Sequence, residues 1–83
     1  MAWTKVVIPS NDIALVEQSA FISQIAAAAR QHNIVGAELY RAALSDGGFE
    51  FFLEEPLPPL LEDTGFRGVS SAAPPRQAEL IRL

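Results

Sequence analysis

The nine residues Gly48-Phe-Glu-Phe-Phe-Leu-Glu-Glu-Pro56 leave little choice of conformation. An aromatic-rich run between a glycine pair and a proline reads as a β-strand. Side chains alternate across a strand, so Phe49, Phe51 and Leu53 share one face and Glu50, Phe52 and Glu54 the other. The first face belongs to a core. The second also carries a phenyl ring; this strand needs a neighbour beside it, and its second face must meet water, a second layer or a partner.

The rest of the chain supplies candidates. Thr4–Ile8 is a short β-branched run stopped by Pro9 and reads as a first strand. Ser10 and Asn11 suit the capping of a helix that starts near Asn11 and runs to about Gln31. At 100° per residue, Ala14, Leu15, Phe21, Ile22, Ile25, Ala26 and Ala29 fall on one broad face, with Glu17, Gln24 and Gln31 opposite. The expectation is an amphipathic helix that buries Leu15, Phe21, Ile22 and Ile25, ends at His32-Asn33, and packs on something flat.

Residues 37–44 have good helix propensity, which competes with an extended reading. Ser45-Asp46-Gly47-Gly48 is hairpin-turn chemistry, and a helix at 37–44 would leave Phe49–Leu53 paired only with distant segments. The hairpin over 36–53 is therefore preferred. Pro56-Leu-Pro-Pro59 interrupts regular structure, and Leu57, Leu60 and Leu61 are expected to fold back over the core. Phe66–Ser70 reads as a short strand. Residues 72–83 read as a flexible or partner-contacting tail that ends on an apolar-alternating piece.

The order β-α-β-β, with one or two short strands after it, gives a single α+β domain over residues 1–83. It has two layers, one long helix on a mainly antiparallel sheet of three to five strands. An 83-residue chain buries only about 60–65% of its extended surface, so its stability is marginal.

Composition narrows the function classes. The chain has no cysteine, which removes disulfides and cysteine-based zinc sites and suits a bacterial, cytoplasmic protein. No apolar run approaches the ~20 residues that span a bilayer, and the N-terminus lacks the pattern of a secretory signal. The net charge of −4 is uneven: Asp46, Glu50, Glu54, Glu55, Glu62 and Asp63 lie between Arg41 and Arg67 with no basic residue among them. The arginines are scattered, whereas nucleic-acid binding needs clustered cations.

Motifs for catalysis are lacking. His32, the one histidine, sits at a helix end, where a capping role suffices. Glu54-Glu55 and Glu62-Asp63 read as solvated surface, not as an acid–base or metal pair. No serine sits in a nucleophile elbow, and neither glycine cluster has phosphate-loop spacing. Pro56 and Pro59 match a Pro-x-x-Pro ligand, for which a stiff connector is the simpler account. No catalytic residue, cofactor or metal is expected.

What remains is the acidic face of the 49–53 strand. Tyr40 of the preceding strand joins Phe52 there, inside Glu38, Glu50 and Glu54, and Trp3 is a further large side chain without an assigned place. Apolar groups at the centre with charge at the rim are laid out as in a protein interface. The alternative is internal cover of Phe52 by Leu80–Leu83 or Leu60-Leu61. The expected function is accordingly a small non-catalytic binding or accessory protein. Its contact residues would be Trp3, Tyr40, Glu50, Phe52 and Glu54. Its partner would be a second copy, as a homodimer in which Arg41, Arg67 or Arg76 offsets the glutamates, or a basic protein surface. Two other classes stay open: a small-ligand domain with a pocket lined by Phe21, Ile25, Tyr40 and Phe51, and an enzyme subunit whose site is completed between protomers.

Overall fold

A computed structural model describes residues 2–83. Among these, the elements in chain order are β1 (Trp3–Ile8), α1 (Ala14–Gln31), β2 (Glu38–Ala43), β3 (Phe49–Leu53), a 3-10 helix (Pro58–Asp63), β4 (Val69–Ser71) and β5 (Glu79–Arg82). The strands form one antiparallel sheet in the order β4-β1-β3-β2-β5. β1 and β2 both run antiparallel to β3, and are therefore parallel to each other with β3 inserted between them. The chain is α+β, one helix against an antiparallel sheet, as its patterning implies.

The β2–β3 hairpin forms at the expected turn. The Gly47 amide donates to the Leu44 carbonyl, and the Leu44 amide to the Gly48 carbonyl. Gly47 has φ of +99°, a conformation that L side chains rarely adopt. A Cβ on Gly48 would sit 2.7 Å from the Ile8 carbonyl oxygen, so this glycine lets the turn lie against the end of β1. Pairing along both edges of Phe49–Leu53 thus overrides the helix propensity of residues 37–44.

The helix begins later than expected, at Ala14. Residues 11–13 form a turn in which the Asn11 side-chain oxygen accepts from the Ile13 amide. Ser10 is taken up elsewhere, its hydroxyl donating to the Asp46 carbonyl in the hairpin turn. At the other end, the amides of Asn33 and Ile34 bond back to the carbonyls of Arg30 and Ala29. Asn33 is left-handed, with φ of 57°. This is a Schellman closure, with Ile34 returning to the core.

The buried stripe of α1 is Ala14, Phe21, Ile25, Ala28 and Ala29. Two sequence expectations need correction. Ile22 is only half-buried at the flank of the core, and Leu15 is 71% exposed. On a helical wheel the stripe centres between Phe21 and Ile25, which leaves Leu15 about 100° to one side. The stripe is set by the two large residues and by the alanines that allow close approach. Phe21 meets Phe51 at a centroid distance of 4.7 Å and Phe66 at 5.2 Å. Val6, Ile8, Leu39 and Leu53 complete the sheet side, and Leu57, Leu60 and Leu61 fold back beside the helix as expected.

Residues 79–82 do not form a free tail but pair with β2, Leu80 opposite Tyr40 and Glu79 opposite Arg41. Arg41 ties the layers together, donating to Gln18 of α1 at 2.7 Å and to Glu79 of β5.

Ile25→Ala is expected to cost about 2–5 kcal/mol in denaturant unfolding, the range for truncating a buried aliphatic side chain. Leu15→Gln should stay within ~0.5 kcal/mol of the wild type. Comparable losses for the two variants would contradict the helix orientation.

Candidate functional surface

The helix and the 3-10 helix lie on one side of the sheet, and no described residue forms a second layer on the other. Strand register places its side chains. Lys5, Phe52, Tyr40 and Leu80 stand in one row from β1 to β5, and Val69 of β4 lies opposite Lys5. Val7, Glu50 and Ala42 form the neighbouring row.

Trp3 and Tyr40 belong to β1 and β2, which are separated by β3. Strands two apart are ~9.6 Å apart, yet the two rings approach to a centroid distance of 5.9 Å with an edge-on tilt of 65°. They therefore lean toward each other across β3. Phe52, between Lys5 and Tyr40 in the strand register, is only 4% exposed. The expectation of an exposed Phe52 is thus corrected. The ring is buried within the chain, on the face that also carries Trp3, Tyr40 and Leu80, whereas Leu60 and Leu61 pack in the core on the helix side.

Around that pair the surface is apolar and open. Val7 is 45% exposed, Leu80 43% and Val69 58%. Separately these would need no explanation, but they share one face with the half-buried Trp3 and Tyr40. Charges alternate with them. Lys5 Nζ pairs with Glu50 Oε2 at 3.1 Å, and Arg82 Nε pairs with Glu38 Oε2 at 3.4 Å. The cations that offset these glutamates are therefore Lys5 and Arg82. Arg41 is engaged with Gln18 and Glu79 instead.

Of the five contact residues inferred from sequence, Trp3, Tyr40, Glu50 and Phe52 come together on this face. Glu54 follows the end of β3 and lines a hollow of about 320 Å³ beside Ile34, Gly36, Glu38 and Pro56. Pattern reading missed Val7, Val69 and Leu80. Alternation within Thr4–Ile8 would have placed Val7 opposite Val6, but nothing local pairs β4 with β1 or β5 with β2.

The other candidate sites are less developed. Phe21, Ile25 and Phe51 are fully buried in the core, whereas Tyr40 lies on the opposite side of the sheet, so these four do not line a common pocket. His32 Nε2 lies 3.0 Å from Asp63 Oδ2, which fastens the end of α1 to the 3-10 helix. Both side chains are about half exposed. Among the described residues, no group of three His, Asp or Glu side chains is arranged to hold a metal ion. No helix among them is long and apolar enough to cross a membrane. Compared with protein-family models, curated proteins and solved structures, the chain matches none.

Trp3 is the one tryptophan, so its fluorescence reports on the ring pair. Tyr40→Ala should shift Trp3 emission to longer wavelength in the folded protein. Leu15→Ala should leave it unchanged. An unaltered spectrum for Tyr40→Ala would contradict the ring pair.

Proposed function

We propose that the protein is a small, non-catalytic binding or accessory protein that acts by contact with another protein through the uncovered face of its sheet. The observation that carries this reading is the group of exposed aliphatic residues, Val7, Val69 and Leu80, on the same face as the Trp3–Tyr40 pair. Aromatic residues with their rings already fixed lose little freedom on binding, and interface centres are enriched in them. The neighbouring ion pairs supply a polar rim. Trp3 and Tyr40 are the anchors of this surface. Phe52 is buried in the same face, and Glu50, held by Lys5, belongs to the rim. Glu54 contributes a carboxylate at one end.

The partner is a protein, a second copy or another chain, and not a nucleic acid, since the cations of this face are paired with glutamates. A cysteine-free chain is suited to a cytoplasmic setting for this contact.

The test is site-specific photo-crosslinking in the host cell. A photoreactive residue in place of Leu80 or Val69 should yield protein adducts. The same residue in place of Ser23, exposed on the far side of α1, should not. No adduct from either sheet position, or equal yields from all three, would overturn the reading.

A further inference from the structure

We propose that the occupant of the uncovered sheet face is a second copy of this chain, stacked face to face about a two-fold axis with the helices outermost. The proposal rests on the reading of that face as a protein-contact surface and names its partner.

Charge is the first argument. Two-fold pairing brings the same patch of both copies together, so an unbalanced patch repels itself. Here Lys5 and Arg82 hold Glu50 and Glu38 within the face itself. Glu54 adds one carboxylate at the end of the face, and much of the remaining acidity lies elsewhere. Glu62 and Asp63 lie on the 3-10 helix, with Asp63 against His32 at the end of α1, and Asp46 lies in the hairpin turn. Two copies stacked on their sheets carry the Glu62-Asp63 segments on their outer layers. A strongly basic partner would instead find two of the carboxylates here already paired.

The second argument is the mode of contact. The sheet edges are β4, of three residues, and β5, of four. Edges this short offer few free backbone groups for pairing side by side, which leaves face-to-face stacking. The other exposed aliphatic residues, Ile13, Leu15, Val16 and Val35, make no comparable surface, Val35 standing alone between α1 and β2. Leu15 and Val16 are adjacent in α1 and therefore point about 100° apart.

Area sets the strength. Five strands spaced ~4.8 Å apart and about five residues long present a footprint of roughly 400 Å² per copy. A standard stable interface buries about 800 Å² per partner. The expected dimer is therefore weaker than a standard stable one, and reversible.

The experiment is sedimentation equilibrium of the purified chain over a concentration series, with Leu80→Glu, Val69→Glu and Leu15→Glu alongside. Circular dichroism melts confirm that each variant is folded. The wild type and Leu15→Glu should rise from 9.0 kDa toward twice that mass. Leu80→Glu and Val69→Glu should stay at the monomer mass, with dimer affinity lowered at least tenfold. A wild type that remains monomeric to millimolar concentration overturns the second-copy proposal. If crosslinking from Leu80 still yields adducts with a different protein, the contact reading survives with another partner. Dimerisation abolished by Leu15→Glu but not by Leu80→Glu places the contact on the helix and overturns the proposal.

Discussion

Phe51 and Phe52 are consecutive residues of the central strand and are both buried, on opposite sides of the sheet. Every other part of the structure answers to that constraint. Burial of each ring contributes about 1.5–3 kcal/mol relative to exposure, and one helix can cover only one of them. Phe51 lies under Phe21 of α1. Phe52 has no second layer, so its cover must come from the strands on either side. Placing β3 between β1 and β2 puts Lys5 and Tyr40 on the two flanks of Phe52, and Trp3 of β1 reaches Tyr40 across the sheet. The insertion of β3 thus fixes both the hydrophobic core and the surface chemistry of the outer face.

That solution shields Phe52 without sealing the face. With no second layer on this face, Val7, Val69 and Leu80 remain about half exposed. A marginally stable domain of this size gains from each ring it covers, yet it lacks the material for another layer. An outer surface with a rigid aromatic centre and partly open aliphatic margins follows from this economy of material. On the proposed reading, function uses what the fold leaves uncovered. The Lys5–Glu50 and Glu38–Arg82 pairs then matter less for stability, since partly exposed ion pairs contribute little, than for letting like faces approach.

Much of the fold was legible wherever the deciding contacts are local. The period of α1, its end at His32-Asn33, the hairpin at Asp46-Gly47-Gly48 and the return of Leu57, Leu60 and Leu61 each rest on neighbouring residues. The failures are non-local. Leu15 and Ala14 both fit an apolar stripe, and only the fit of Phe21 against Phe51 and Phe66 decides which of them faces the sheet. Glu79–Arg82 carries a short alternation that fits an edge strand and a tail equally well, and its pairing with β2 depends on a partner some forty residues away. The candidate surface was half legible for the same reason. Alternation put Tyr40 and Phe52 on one face, but the approach of Trp3 from β1 depends on strand order, which no short segment encodes.

The most direct measurement of the central claim is a concentration series of methyl and indole NMR spectra. The account predicts that the signals of Val7, Val69, Leu80 and the Trp3 indole move together as concentration rises, while those of Leu15 and Val16 stay in place. Shifts centred on Leu15 and Val16, or spectra unchanged to millimolar concentration, would contradict it.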